Sequence, residues 1–248
     1  MKYKALFLDL DGTTIPNRQD GMPSPRVEEA IHKATAKLHV CVATSRTLAE
    51  AKPVLDHLDI RGFCVVTDST QIYDPVRKSV LQTIFIDDIY LPQILGIAEE
   101  YSDHIELNSD KRQWVYKKER GDKRVSSVYI GSMEPKTADK LIEEMTKIPN
   151  IAVHKITSWE EGQIAVAASH AKATKLHGVE TVAKMLGVQT HEMIGVGDGY
   201  NDFPLLMACG LKIAMGNAVP ELKAIADFIA PTVEDDGVAT VIEKFILQ

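Results

Sequence analysis

Ala5-Leu6-Phe7-Leu8-Asp9-Leu10-Asp11-Gly12-Thr13-Thr14 is the stretch that decides the fold. An unbroken apolar run that ends in acidic and turn-forming residues predicts a strand buried on both faces, the signature of a parallel sheet covered by helices. Asp9 and Asp11 stand two positions apart, so the period of a strand points both carboxylates the same way. In open α/β sheets ligands bind beyond the carboxyl ends of the strands, which is where this pair falls. Asp11-Gly12 alone could be an ordinary turn. That reading leaves Asp9 unexplained at the end of a buried strand.

Working outward, residues 4–9 form the first predicted strand. Ser24 and Pro25 supply an N-cap and a first-turn proline for a helix over 25–39. A strand at 40–44, a helix at 47–58, a strand at 63–67 and a hairpin of 71–73 with 80–85 follow. The middle third reads differently: a helix from about 87, strands at 104–108, 113–117 and 125–130, a helix at 135–147, and strands near 151–155 and 163–167. Alternation then resumes with a helix at 172–186, a strand at 192–196, a short helix from 202, a strand at 211–215, and helices at 220–226 and 236–246. The pattern predicts an α/β protein with a Rossmann-like parallel-sheet core built from 1–85 and 166–248, interrupted by an α+β cap at 86–165.

With 248 residues and 45% hydrophobic content the chain has ample material for such a core. Its apolar runs are far shorter than the roughly 18 residues of a membrane-spanning helix, and the first residues lack a secretory pattern, so no membrane partner and a cytoplasmic location are expected. A net charge of −7, without any Lys/Arg run longer than two, argues against a nucleic-acid partner. Cys41, Cys64 and Cys209 have no metal-ligand or disulfide spacing and read as buried apolar residues.

Three further segments carry chemistry. Thr44-Ser45-Arg46-Thr47 brings hydroxyls, a helix entry and a guanidinium to the end of the second strand, which suits an anion as well as plain N-capping. Lys175 lies early in the helix at 172–186, with Lys172 competing for the same role. Gly197-Asp198-Gly199-Tyr200-Asn201-Asp202 is an acidic loop after another apolar strand. Tyr200 stands where a dinucleotide fingerprint needs glycine and where a calcium loop needs an oxygen ligand, and the chain holds no Gly-x-x-x-x-Gly-Lys-Ser/Thr sequence. Asp9, Asp198 and carbonyl oxygens around Asp11 then suit a hard cation, Mg²⁺ rather than Zn²⁺. With a bound phosphomonoester, that ion and Lys175 bring the summed charge to about −1, which backbone N–H groups, Asn201 and Arg46 can accommodate.

With these pieces in this order, the sequence resembles the haloacid dehalogenase (HAD) superfamily of phosphotransferases. Asp-x-Asp-Gly-Thr at 9–13, Thr44, Lys175 and Gly-Asp-Gly-x-Asn-Asp at 197–202 look like its four motifs. Ala214-Met215-Gly216-Asn217-Ala218 and Asp235-Asp236-Gly237-Val238-Ala239 resemble its Cof-type branch, and the middle third resembles the α/β cap of subfamily IIB (the C2B type) in architecture. The resemblance implies that Asp9 attacks phosphorus and that Asp11 protonates the leaving alkoxide, then activates water. It implies a phosphate held by Thr44, Ser45, Arg46, Lys175 and Asn201, a metal held by Asp9, Asp11 and Asp198, and support from Asp202. Thr44-Ser45-Arg46 replaces the relatives' usual Thr-Gly-Arg, and Asp68-Ser69-Thr70 stands where many have Asn-Gly-Ala. Both places face substrate in the family, so the departures bear on specificity.

The expectation is an Mg²⁺-dependent phosphatase of a small phosphorylated metabolite, a sugar phosphate or similar phosphomonoester, acting as a monomer or homodimer. A phosphomannomutase-like phosphotransferase and a non-catalytic phosphometabolite-binding regulator are the alternatives. In the cap, Asn108, Arg112, Trp114 and Lys117 around a hairpin tip at 110–112 are candidates to touch the leaving group, although solvation or packing explains each of them as well.

Overall fold

The computed structural model describes residues 2–110, 112–118 and 123–248. β1 (Ala5–Leu8) is fully buried and lies mid-sheet, flanked by β2 (His39–Ala43) and β11 (Met193–Gly197), both parallel to it. β3 (Cys64–Val66) extends the sheet beyond β2, and β4 (Gln71–Asp74) and β5 (Ser79–Thr83) close that edge in antiparallel pairing. On the other side, β12 (Leu211–Ala214) and β13 (Phe228–Ile229) continue the parallel order. The apolar strand runs are buried as a helix-covered parallel sheet requires.

Helices connect these strands. α1 (Pro25–Thr35) starts at Ser24, whose hydroxyl accepts from the Val27 N–H, and α2 (Leu48–His57) starts at a Thr47–Glu50 capping box. α5 (Lys175–Leu186) is capped by Thr174 and stopped by Gly187 in the left-handed conformation. α6 (Phe203–Ala208), α7 (Pro220–Ile225) and α8 (Gly237–Phe245) complete this layer.

Between β5 and α5 the chain builds a second sheet over its own apolar core. α3 (Leu91–Tyr101) and α4 (Pro135–Met145) accompany β6 (Ile105–Asn108), β7 (Gln113–Val115), β8 (Ser127–Met133), β9 (Ile151–Thr157) and β10 (Ile164–His170). The sheet is antiparallel in the order β7-β6-β8-β10-β9. Ile94, Leu107, Ile130 and Leu141 sit in its core, separate from the core around Phe7 and Leu55. No helix is long and apolar enough to cross a membrane among the described residues.

The structure departs from the expected elements in three places. The first helix stops at Thr35 because the N–H groups of Lys37 and Leu38 both turn back to the Ala34 carbonyl, which frees His39 to open β2. β13 is too short for a pattern to reveal. A boundary at 165/166 would cut β10, which pairs with β9 as far as His170, so the second sheet keeps the chain five residues longer.

Candidate active site

The β1 strand delivers Asp9 to the centre of the sheet's carboxyl edge, where its N–H donates to the Val196 carbonyl at 3.0 Å. Its side chain is buried, and Oδ1 accepts from Lys175 Nζ at 2.6 Å. Lys175 is the first residue of α5 and is only 2% exposed. The same ammonium donates to Asp202 Oδ1 at 2.6 Å. Lys172, the competing candidate, is exposed on the preceding turn.

Asp202 acts mainly on its own loop. It is fully buried in a short 3₁₀ turn, and its Oδ2 accepts the backbone N–H groups of Asp198 and Gly199, both at 2.9 Å. That fixes Asp198 opposite Asp9. Thr13 Oγ1 donates to Asp198 Oδ1 at 2.7 Å, joining the two acidic loops. Gly12 lies between them at φ +73°, and a Cβ there would come within 2.3 Å of Asp198 Oδ2, so both backbone shape and space demand glycine.

Asp9, Asp198 and Asp202 offer carboxylate oxygens within 4.8 Å of one another. Burial, reinforced by the Asp202 charge, pushes Asp9 up to about 7. Burial and the charges of Asp202 and Asp9 likewise raise Asp198 well above the usual carboxylate range. Burial disfavours the charged form of Lys175, but Asp202 and Asp9 outweigh it and the pKa is raised. One ammonium thus faces three clustered carboxylates, and an all-oxygen donor set with excess negative charge fits a hard divalent cation.

Asp11 and Arg46, two of the expected site residues, meet each other. The Asp11 carboxylate stands apart from this trio, because Arg46 grips it in a fork, Nε to Oδ2 at 2.8 Å and Nη2 to Oδ1 at 2.6 Å. Asp202 is the third carboxylate of the acidic cluster. Arg46 in turn is engaged by Asp11 and by the carbonyls of Arg18 and Gln19, so its guanidinium is directed at the carboxylate rather than held open for phosphate. Planar guanidinium and carboxylate match bidentately, and the loops after β1 and β2 are neighbours. Thr44 and Ser45 remain at the edge. The Thr44 hydroxyl accepts from the Arg46 N–H, leaving its own hydrogen available, and Ser45 Oγ accepts from Asn201 Nδ2 at 2.9 Å.

A cavity of about 390 Å³ opens over these groups between the two sheets. Of the four cap candidates only Asn108 lines it; Trp114 packs on the second core with Arg112 over its ring, and Lys117 is exposed. Lys111, at the expected hairpin tip, lies outside the described residues. Trp159, in the turn between β9 and β10, was not anticipated. Its indole N–H donates to Asp11 Oδ1 at 3.0 Å, and its ring lies 5.3 Å from the Arg46 guanidinium. A tryptophan amid Ser158, Glu160 and Gly162, turn residues that call for no large apolar side chain, was the available signal.

A family model for haloacid dehalogenase-like hydrolases matches residues 6–242. The 5-amino-6-(5-phospho-D-ribitylamino)uracil phosphatase YcsE of Bacillus subtilis (strain 168) is 24% identical over 98% of this chain and 96% of its own length. A haloacid dehalogenase-like hydrolase structure from B. subtilis superimposes with a TM-score of 0.85 at 20% identity, covering 98% of this chain and 100% of the other. A structure described as a HAD subclass IIB sugar phosphatase does so with a TM-score of 0.81 at 18% identity, covering 98% of each chain. With the family model spanning nearly all of the sequence, and both sheets shared with these structures, the chain belongs to the haloacid dehalogenase-like hydrolases.

Proposed function

We propose that this hydrolase cleaves a small phosphomonoester through a phosphoryl group carried on Asp9. The observation that supports this most is the Asp9 carboxylate, buried at a strand end, held by Lys175 at 2.6 Å and facing a cavity edged by Thr44 and Ser45. An Asp9 oxygen attacks phosphorus, the bond to the leaving alkoxide breaks, and Asp11 gives that oxygen a proton. Asp11 then takes a proton from water as it attacks the aspartyl-phosphate, releasing inorganic phosphate and restoring Asp9. Thr44 and Lys175 hold the phosphate oxygens. Arg46 and Trp159 fix Asp11. We assign residues 86–170 to a cap that encloses the leaving group.

Asp9, Asp198 and the Asp11 carbonyl would hold Mg²⁺, which supplies charge neutralisation so that a carboxylate can approach a dianion. The phosphomutase alternative needs a second phosphate site. Among the described residues lining the cavity, the only lysine or arginine is Arg46, which Asp11 engages. Three free, buried cysteines fit a cytoplasmic setting.

The test is Mg²⁺-dependent phosphate release over a panel of phosphorylated metabolites and p-nitrophenyl phosphate, with Asp9→Asn as control. The wild type is expected to turn over and the variant to fold and lose activity. Retained turnover in Asp9→Asn would overturn the assignment.

A further inference from the structure

The turn that follows β3 is unusual. Thr67, Asp68 and Ser69 adopt φ of +54°, +51° and +65°, three successive left-handed residues without a glycine. Such positions are strained for residues that carry a side chain, so something must hold them. The N–H groups of Thr67 and Asp68 donate to the Arg46 and Ser45 carbonyls at 2.7 and 3.1 Å, which anchors the turn beside the phosphate end of the site. Its product is the placement of Asp68, 4% exposed, on the cavity wall.

Asp68 Oδ2 accepts from Ser127 Oγ of β8 at 2.8 Å, and Ser127 Oγ accepts from Asn108 Nδ2 of β6 at 3.1 Å. Both donors therefore point along the chain toward Asp68. The other Asp68 oxygen and the Asn108 carbonyl have no partner among the described residues, and both side chains line the cavity. Asn17, on the same wall, has a buried Oδ1 without a hydrogen-bond partner among the described residues. This region thus presents acceptors and asks for donors.

Charge narrows the class. Glu50 and Glu106 line the same cavity, with Glu50 bound to its own helix start and Glu106 to His104 and Gln113. No lysine or arginine pairs with Asp68, Glu50 or Glu106 among the described residues. A buried carboxylate is ordinarily paired. Burial pushes Asp68 up to about 7, the cost of leaving that charge without a cation.

Resting on the phosphatase reading, we propose that Asp68 is a specificity-determining residue and that the substrate's leaving group carries a protonated amine and no second anionic group. The ammonium would donate to the open oxygen of Asp68 and to the Asn108 carbonyl, supplying the missing countercharge. A carboxylate or second phosphate would be repelled by the same wall.

The test compares kcat/KM for glucosamine 6-phosphate, glucose 6-phosphate and 6-phosphogluconate, and for phosphoethanolamine against glycolaldehyde phosphate, with p-nitrophenyl phosphate as reporter of the chemistry. In at least one pair the amine is expected to be preferred by about tenfold, the worth of a hydrogen bond between charged groups. The acidic analogue should be the poorest of its set. Asp68→Asn should collapse the amine-to-neutral ratio toward one, and Glu106→Gln, a separate variant at the rim, should reduce it. Turnover of p-nitrophenyl phosphate with no amine preference in either pair, or a ratio unchanged in both variants, would overturn the inference and leave the phosphatase reading standing. Failure of every substrate, p-nitrophenyl phosphate included, would overturn both.

Discussion

Replacing Asp68 with asparagine is expected to stabilise the protein, and by an amount that depends on pH. The side chain keeps its shape and can still accept from Ser127, so the change isolates the charge. In the folded state the carboxyl titrates near 7, against about 3.9 in an unfolded chain. The folded state therefore binds more protons than the unfolded one between these values, and its stability falls as pH rises through that window. Linkage gives a destabilisation by the ionised group on the order of 4 kcal/mol at pH 7.5, which falls by more than half at pH 5. Because asparagine carries no such charge, urea unfolding should place Asp68→Asn above the wild type at pH 7.5, with the gap narrowing by more than half on acidification to pH 5. A variant no more stable than wild type at pH 7.5, or a gap indifferent to pH, would refute the claim that this carboxylate is held without a cation.

Other changes test the remaining contacts. Adding Mg²⁺ should raise the melting temperature, since a cation held by Asp9 and Asp198 relieves the repulsion within the acidic cluster, and chelator should abolish phosphate release; an unchanged melting temperature would count against the cluster as a cation site. Gly12→Ala should cost about 1–2 kcal/mol through its left-handed backbone and also abolish the Mg²⁺-induced shift by displacing Asp198, which calorimetric titration would read. Trp159→Phe removes one donor from Asp11 and should lower kcat about three- to tenfold with little change in KM; an unaltered kcat would leave the indole without a positioning role.

The chemical groups at the strand ends were legible because sequence-local rules place them. An apolar run ending in Asp9-Leu10-Asp11 must project its carboxylates from a sheet edge, and Thr174-Lys175 must open a helix. What those side chains grasp depends on distance across the fold. Arg46 had two acceptor classes within reach in principle, a phosphate and Asp11, and only the adjacency of two loops decides between them. Asp202 read as an accessory because its work, accepting two backbone N–H groups four and three residues earlier, requires a 3₁₀ turn that its sequence does not dictate. Asp68 stood out in sequence only as a departure from a pattern. Its partners Ser127 and Asn108 come from strands whose alternation says which face they occupy, not what stands opposite. β10 shows the limit at boundaries: Ile164–Ala168 is as continuously buried as a core strand, so composition could not tell which sheet owned it.

The pairing of β1 with β11 also has a consequence during synthesis. Ala5 pairs with Met193, so the strand bearing the nucleophile is made long before the neighbour that closes its open side. At about 5–20 residues per second the ribosome leaves that apolar edge uncovered for roughly ten seconds or more, while the whole second sheet is still being translated. Over that interval an exposed edge is a template for pairing with other chains. β2 closes only the opposite edge of β1, so the yield of the nascent protein should be more sensitive to elongation rate than its final stability suggests.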